Sequence, residues 1–304
     1  MSSFSVSVIV PVYNSARFLE SAVRSAVNLP QIGEILLIED GSSDDSLHIC
    51  KQLEAEHASV RTLTHLNNEN RGAGASRNLG LIQASYPYVA FLDADDYYLP
   101  NRFERSERIF MDYPDVDGVW EAVGTEVIGG LNQEHRQGKL TTITGNVRPE
   151  DLFSILIRPG YRGHFQTNGI TIRKSLLEKT GLFDPALRLH QDTDLWIRMA
   201  YYGVLVPGLT DQPVAIRRVH DANRIAHSNF TSQQALRMKV FARFRSLPLA
   251  SADYRYLVRS FLIHTPERIH HHSKIHKILS YVWLFLRSAA RNEINLVNMV
   301  ISRR

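Results

Sequence analysis

The chain has 304 residues, of which 44% are hydrophobic and 9% aromatic, enough for one large α/β domain or two smaller units. Its 35 lysine and arginine residues exceed its 31 acidic residues only slightly, and a net charge of +4 argues against nucleic acid as a partner. A lone cysteine, Cys50, excludes an internal disulfide and a multi-cysteine zinc site.

The sequence predicts neither a targeting segment nor a membrane-spanning helix. Its first residues lack the basic region and the apolar core of a signal peptide. Its apolar runs also fall short of the about 18 residues that a spanning helix needs. We therefore expect a cytoplasmic protein.

The first hundred residues alternate between predicted strands and predicted helices. In chain order these are strand 5–10, helix 16–28, strand 34–38, helix 44–57, strand 60–64, helix 74–84 and strand 88–92. This alternation predicts a parallel sheet with right-handed crossovers. Ligands of such sheets bind at the carboxyl ends of the strands.

The pattern is less regular beyond residue 100. The predicted elements are helix 101–111, strand 118–122, a polar loop at 129–146, strand 169–173, helix 192–201 and helical structure from 231 to the end.

The most informative segment is the acidic cluster formed by Asp93, Asp95 and Asp96, which follows the predicted strand 88–92. Alternate residues of an extended chain point to one side, roughly 7 Å apart, so Asp93 and Asp95 can face one cation. Alternatively, one carboxylate binds the cation while the other orients a ligand. Oxygen ligands favour Mg²⁺ or Mn²⁺ over zinc. A solvated acidic turn is the competing interpretation, but the place of the cluster at a strand end favours a site.

Polar residues also follow the first two strands, as Pro11-Val12-Tyr13-Asn14 and as Glu39-Asp40. No glycine-rich G-x-G-x-x-G motif follows the first strand, which argues against an NAD-binding Rossmann domain, and no Walker A motif is present. A bound nucleotide would therefore be held by carboxylates and a metal.

Several segments, in order and spacing, resemble family 2 glycosyltransferases of the GT-A fold. They are VIVPVYN (8–14), EDGSSD (39–44), NRGAGASRNLG (70–80), FLDADD (91–96) and GLFD (181–184) followed by QDTDLWIR (191–198). The resemblance implies an α/β, Rossmann-like GT-A domain with a mostly parallel central sheet flanked by helices. It implies a nucleotide-sugar-binding half at 1–100, an acceptor and catalytic half at 101–222, and a helical C-terminal extension at 223–304.

The resemblance also implies a donor pocket. Pro11, Tyr13, Asn14 and Asp40 would hold the nucleotide, and Arg77 would bind diphosphate oxygens. The alternatives are that Tyr13 only packs at a strand end, that Asp40 only forms a turn, and that Arg77 is a surface charge.

By the same resemblance, Asp95 is the expected ligand of Mg²⁺ or Mn²⁺, with Asp96 and His220 beside it. Asp93 and Asp95 would also contact the nucleotide sugar, and one carboxylate of the cluster would instead bind ribose or sugar hydroxyls. The metal would bridge the diphosphate and stabilise the leaving group. His220 is alternatively a surface histidine.

Asp192 is the expected general base, which would accept the proton of an attacking acceptor hydroxyl. In-line displacement would then invert the anomeric configuration. Asp194 is the alternative base, and either aspartate could instead only stabilise the N-terminus of the following helix. Two departures from the family pattern are Gln191, where many relatives have Glu, and Glu39, where Asp is common.

The C-terminal part of the chain is rich in arginine, lysine and histidine, which favours an anionic partner. Residues 274–287 combine an apolar run with basic flanks, which predicts either a helix at the membrane interface or one packed on the domain. The histidines at 270–272 are expected in a solvated loop, with adventitious metal binding as the alternative.

The sequence therefore predicts an inverting glycosyltransferase of polysaccharide synthesis that acts on a UDP-sugar and a glycan or lipid-linked acceptor, in the cytoplasm or at the inner membrane face. A sugar nucleotidyltransferase and an inactive glycan-binding scaffold are the alternatives.

Overall fold

The computed structural model describes residues 4–129, 137–221 and 230–263. The chain forms two compact units, Met1–Ala226 and His227–Arg304. The first unit holds every strand of the described residues, whereas the described part of the second unit consists of two helices.

The described residues form ten strands, numbered β1 to β10 in chain order. They are Val6–Val12, Ile32–Glu39, Val60–Thr64, Tyr88–Phe91, Tyr97–Tyr98, Gly118–Trp120, Val123–Val127, Ile170–Arg173, Leu205–Pro207 and Ala215–Val219. Seven of them form a central sheet in the order β3-β2-β1-β4-β8-β6-β9, and β5-β10-β7 form a smaller sheet. In the central sheet β8 runs antiparallel to β4 and β6, and the other neighbours are parallel.

Nine α-helices, α1 to α9, are found in the same residues. They are Leu19–Val27, Ser46–Glu56, Ala73–Gln83, Glu104–Asp112, Pro149–Leu156, Leu176–Thr180, Gln191–Tyr202, Phe230–Phe244 and Ser251–Ile263. No helix within the described ranges is both long enough and apolar enough to cross a membrane.

The core lies where helices cover the central sheet. Strands β1 and β2 are runs of valine, isoleucine and leucine that are buried along most of their length, as expected for parallel strands with helices on both faces. Helix α1 buries Leu19, Ala22, Val23 and Ala26, whose spacing places them on one face of the helix. Burial of this apolar surface is the main force that assembles the sheet and its helices.

The expected fold class agrees with this architecture, and every element predicted in the first hundred residues is present. From residue 97 onward the chain holds elements that sequence patterns did not indicate: β5, β7, β9, α5 and α6. Most are too short for a periodic pattern to stand out. Within the predicted loop 129–146, Thr141 bridges to Val123 and Ile143 to Gly163.

Part of that loop, residues 130–136, lies outside the described residues, as do the histidines at 270–272 and the basic, apolar segment 274–287. The predicted helical C-terminal extension is represented by α8 and α9.

Candidate active site

The residues predicted to bind a ligand lie at one edge of the central sheet. Strands β1, β2 and β4 are parallel neighbours, so their carboxyl ends meet at the same edge. Tyr13 follows β1, Asp40 follows β2, and the acidic cluster follows β4. Residues that are far apart in the sequence are therefore brought together by the order of the strands.

The segment after β1 is tied to the loop after β2. Asn14 has a positive φ of 48°, and its Oδ1 accepts a hydrogen bond of 2.8 Å from the backbone N–H of Ser43. Its own N–H donates to Ser42 Oγ at 3.0 Å. Pro11 lies inside β1 and is half-buried, whereas Tyr13 is 36% exposed. Of these residues, Tyr13 offers the surface that a planar base can stack on.

Asp40 is buried and accepts two backbone hydrogen bonds from the loop that precedes α3. The donors are the N–H groups of Arg71 at 2.7 Å and Gly72 at 2.8 Å, and His65 Nε2 lies 3.4 Å from Oδ1. Asp40 therefore holds this loop in place. Its contact with a nucleotide remains a prediction, since the carboxylate already has two donors and is 2% exposed.

Each carboxylate of the acidic cluster has a different partner. Asp93 accepts a hydrogen bond of 2.6 Å from Arg77, so the guanidinium predicted to face a diphosphate contacts this carboxylate. Asp96 is buried and accepts from the backbone N–H of Arg218 at 2.7 Å. Asp95 is half-buried, and its Oδ2 lies 3.1 Å from Nε2 of His220, which follows β10.

Mutual repulsion and burial shape the protonation of this cluster. Burial raises the pKa of Asp95, and the charge of Asp93 raises it further, while His220 acts in the opposite direction. The pKa of Asp96 is raised well above its usual range by burial and by the charges of Asp95 and Asp93. A cation placed here would relieve this repulsion.

A divalent cation fits the donor set of Asp95 and His220, but only as a partly protein-bound ion. No three histidine, cysteine or acidic side chains converge on one point in the part of the chain that the structure describes. Mg²⁺ characteristically takes one or two carboxylates and completes its shell with water and substrate phosphates. The residues present therefore suit a metal that arrives with a phosphorylated ligand better than a permanently caged one.

Asp192 and Asp194 both lie in the first turn of α7, but only one faces outward. Asp194 is buried and bound to Arg198 through Nη2 at 2.8 Å and Nε at 3.1 Å. Arg198 in turn donates to the carbonyl oxygen of Thr180 at 2.6 Å. Asp192 is half-buried, and its Oδ1 accepts from the N–H of Thr193 at 2.7 Å. Of the two candidate bases, Asp192 is the one that a substrate can reach.

Helix α7 begins directly against the start of α3. A Cβ atom added to Gly74, the second residue of α3, would overlap Oε1 of Gln191 and lie 2.8 Å from its Cδ. The side chain of Gln191 thus occupies the space that the absent side chain of Gly74 leaves. Because Asp192 is the next residue, this close contact places the candidate base beside the loop that Asp40 holds.

Sequence patterns did not indicate Asn168 or Arg218. Asn168 accepts from the N–H of Asp93 at 2.9 Å through Oδ1 and donates to Asp96 Oδ2 through Nδ2, so it joins two members of the cluster. Arg218 donates to the backbone oxygen of Asp95 at 3.3 Å in addition to its bond to Asp96. The run Thr167-Asn168-Gly169 before β8 was the one available signal, a turn of small polar residues ahead of a strand.

Comparison with known families identifies the architecture. The chain matches the family described as "Glycosyl transferase family 2" over residues 7–176, which is more than half of its 304 residues. The chain belongs to family 2 of the glycosyltransferases. The matched region contains Asp40, Arg77 and the acidic cluster, and it ends before Asp192.

Relatives with sequence similarity carry glycosyltransferase or polysaccharide names. An uncharacterized glycosyltransferase of Nostoc sp. is 30% identical over 233 residues, covering 75% of this chain and 69% of the relative. The minor teichoic acid biosynthesis protein GgaA of Bacillus subtilis is 30% identical over 66% of this chain and 45% of its own length. Succinoglycan biosynthesis protein ExoU of Rhizobium meliloti is 28% identical over 64% of this chain and 56% of its own length. Relatives from Rickettsia felis and Rickettsia conorii are matched over 31% of their length.

Solved structures confirm the predicted fold. Residues 1–349 of Staphylococcus aureus TarS align with a TM-score of 0.63 at 17% identity, covering 86% of this chain and 71% of that one. The same protein in complex with UDP-GlcNAc gives a TM-score of 0.60, covering 87% of this chain and 82% of that one. A mannosyltransferase from Pyrobaculum calidifontis, in complex with GDP-Man and Mn²⁺, gives 0.56 at 16% identity, covering 95% of this chain and 76% of that one.

Proposed function

We propose that this glycosyltransferase moves a sugar from a nucleotide sugar, specifically a UDP-sugar, to a hydroxyl group of a glycan or lipid-linked acceptor. We further propose that the transfer inverts the anomeric configuration. Support for the donor class comes from TarS, a structural neighbour that was solved with UDP-GlcNAc. Support for the setting comes from relatives named for teichoic acid and succinoglycan biosynthesis.

The observation that carries the proposal is the meeting of two kinds of carboxylate at one edge of the sheet. The acidic cluster follows β4, and Asp192 is brought beside the α3 loop by the contact between Gln191 and Gly74. Transfer with inversion needs one group to hold the leaving diphosphate and another to take a proton from the acceptor. In our proposal the cluster has the first task and Asp192 the second.

In the proposed donor site, Tyr13 stacks on the base, and Pro11, Asn14 and Asp40 shape the pocket around the ribose. Arg77 directs Asp93 toward the sugar, because their ion pair of 2.6 Å fixes the orientation of that carboxylate. Bound Mn²⁺ or Mg²⁺ would supply Lewis-acid stabilisation of the departing nucleoside diphosphate.

We assign the metal contacts to Asp95, Asp96 and His220. Asp95 and His220 would provide direct ligands, which would require their mutual contact of 3.1 Å to open. Asp96 would act by orientation, because Asn168 and the backbone of Arg218 already bind its two oxygens.

In the proposed reaction, Asp192 accepts the proton of the acceptor hydroxyl as its oxygen bonds to the anomeric carbon. The bond between that carbon and the diphosphate oxygen breaks, and the electron pair leaves with the nucleoside diphosphate. General-base assistance of this kind contributes roughly 10²–10⁴-fold to the rate. The partial exposure of Asp192 supports this role, since Asp194 is buried against Arg198.

We further propose that the enzyme works in the cytoplasm, with peripheral contact to the inner face of the membrane through its C-terminal segment. The polysaccharide relatives support this setting, because lipid-linked acceptors are presented at a membrane. Flotation of the full chain with vesicles containing anionic lipid tests the contact. A chain that stays at the bottom of the gradient would contradict it.

A panel of nucleotide sugars tests the function. The purified chain is incubated with UDP-, GDP- and dTDP-sugars and Mn²⁺, and binding and release of the nucleoside diphosphate are measured with and without chelator. We expect binding and slow hydrolysis for a UDP-sugar, and Asp192→Asn is expected to retain binding while losing turnover. A chain that binds and cleaves no nucleotide sugar would refute the proposal. Release of pyrophosphate from a nucleoside triphosphate and a sugar phosphate would instead identify a nucleotidyltransferase.

A further inference from the structure

Two basic residues near Asp192 have side chains without a bonding partner among the described residues. His164 precedes a buried segment that leads into β8, and Arg217 lies in β10. Neither side chain has a hydrogen-bond or ion-pair partner within residues 4–129, 137–221 and 230–263. By contrast, Arg77 and Arg218 are each bound to members of the acidic cluster. Among the described residues, the Arg217 guanidinium and the His164 imidazole are therefore available to a ligand.

Aromatic packing sets the position of His164. The next residue, Phe165, is buried and stacks on Trp120 with ring centroids 5.9 Å apart. Phe165 also packs on Trp196 at 5.7 Å, and Trp196 lies one helical turn after Asp192 in α7. The same aromatic contact thus fixes His164, an exposed residue, near the helix turn that carries Asp192.

Strand geometry sets the direction of Arg217. Alternate residues of a strand point to opposite faces. Arg218 points to the donor side, where its guanidinium donates to Ser21 and to the backbone oxygen of Asp95. His220 has the same parity and also contacts Asp95. Arg217 consequently projects to the other face of β10, away from the acidic cluster.

Hydrogen bonds bring β10 beside the segment that follows His164, because Asp96 accepts from both Asn168 Nδ2 and the backbone N–H of Arg218. Electrostatics are consistent with this placement of His164, Asp192 and Arg217. Although His164 is an exposed residue, desolvation by the surrounding protein lowers its pKa, the carboxylate of Asp192 raises it, and the charge of Arg217 lowers it. An anion beside the guanidinium would offset the positive charge that lowers the pKa of the imidazole. It would also supply a hydrogen-bond acceptor, which neither side chain has among the described residues.

We propose that His164 and Arg217 form an anion subsite on the acceptor side of Asp192, and that its ligand is a phosphate group of the acceptor. The guanidinium can bind two phosphate oxygens at once, and the imidazole adds a third donor. A phosphorylated acceptor would otherwise be repelled by Asp192, so the guanidinium attracts it and both side chains orient its hydroxyl. The acceptor class is a polyol phosphate or sugar phosphate unit. This inference rests on the proposed function.

Binding of glycerol 3-phosphate, with glycerol as the uncharged comparison, tests the subsite without any turnover. The full chain is labelled at its histidine rings, and the His164 signal, assigned with His164→Gln, is followed by NMR. We expect glycerol 3-phosphate to shift this signal and raise the pKa of His164, while glycerol does neither. Arg217→Gln should weaken glycerol 3-phosphate binding about tenfold or more, the loss expected for charge-assisted hydrogen bonds.

The control variant is Arg24→Gln, which removes one positive charge from an exposed ion pair on α1. It should leave glycerol 3-phosphate binding unchanged. Thermal unfolding is measured for all three variants, and their unfolding temperatures should be the same as that of the unchanged chain. A parallel arm measures UDP binding with Mn²⁺, which should be the same in the unchanged chain, His164→Gln and Arg217→Gln.

Two outcomes would overturn the inference. If Arg217→Gln weakens UDP instead of glycerol 3-phosphate, the cations serve the donor diphosphate. If glycerol 3-phosphate leaves the His164 signal unmoved, no anion binds there. Both arms measure binding, so they are distinguishable from failure of the proposed function, which would appear as an absence of nucleotide-sugar binding and cleavage.

Discussion

Replacement of Gly74 by alanine should misplace the candidate base without touching it. The new Cβ would overlap Oε1 of Gln191 and lie 2.8 Å from Cδ, so either the Gln191 side chain or the first turn of α7 must move. Overpacking of this kind costs about 1–3 kcal/mol. Alanine gains about 1 kcal/mol over glycine inside a helix. The net loss of unfolding free energy should therefore be about 0–2 kcal/mol.

The effect on turnover should be larger than the effect on stability. A displacement of about 1 Å in a reacting geometry costs on the order of 10²-fold in rate. Since Asp192 follows Gln191, we expect Gly74→Ala to lower kcat far more than it lowers the affinity for the nucleoside diphosphate. Steady-state kinetics on the donor found by the panel, together with UDP titration, separate the two quantities.

A double variant tests whether the two residues act through their contact. Gln191→Ala removes the obstacle, so Gly74→Ala in that background should lose much less activity than it does alone. The expected coupling energy is about 0.5–3 kcal/mol, the range for residues in direct contact. Full activity of Gly74→Ala, or strictly additive losses in the double variant, would refute the reasoning.

Three further predictions concern single groups. Asp192→Asn should lower kcat by about 10²–10⁴-fold while UDP affinity stays unchanged; a fully active variant would remove Asp192 as the base. Asp95→Ala should abolish the Mn²⁺ dependence of UDP binding measured by calorimetry, and an unaltered dependence would contradict its assignment as a ligand. Glu121→Gln should lower the unfolding free energy by about 3 kcal/mol, because it leaves the fully buried Arg102 without its charged partner. The paired replacement Glu121→Leu with Arg102→Met should cost less in chemical denaturation, and equal losses would mean that packing matters more than the charges.

Sequence patterns predicted the first half of the fold well because its strands are long and apolar. Strand β3 was predicted with the bounds that the structure has, Val60–Thr64. Farther along the chain, β5 has two residues and β9 three, too few to show alternation. Strand β10 carries two arginines among its five residues. Its pairing with β5 and β7 is what makes it a strand.

The candidate site divides in a similar way. The acidic cluster could be predicted because its members are neighbours in the sequence and follow an apolar run. The contact of Asp95 with His220 spans 125 positions, and that of Asp96 with Asn168 spans 72. No local pattern encodes such pairs, because they depend on how β8 and β10 return to the edge of the sheet.

The sequence by itself determined the alternating α/β order, the family resemblance that was later confirmed, and the identity of the acidic cluster. These follow from short-range patterns of apolar, glycine and acidic residues. Tertiary structure distinguished Asp192 from Asp194, because Asp194 pairs with Arg198 one turn later in α7 and Arg198 is held against the carbonyl oxygen of Thr180 in α6. It also brought Gln191 to Gly74 and, through the packing of Phe165 on Trp196, His164 toward Asp192. These contacts join separate elements, and the free energy that forms them comes from burial of the whole core.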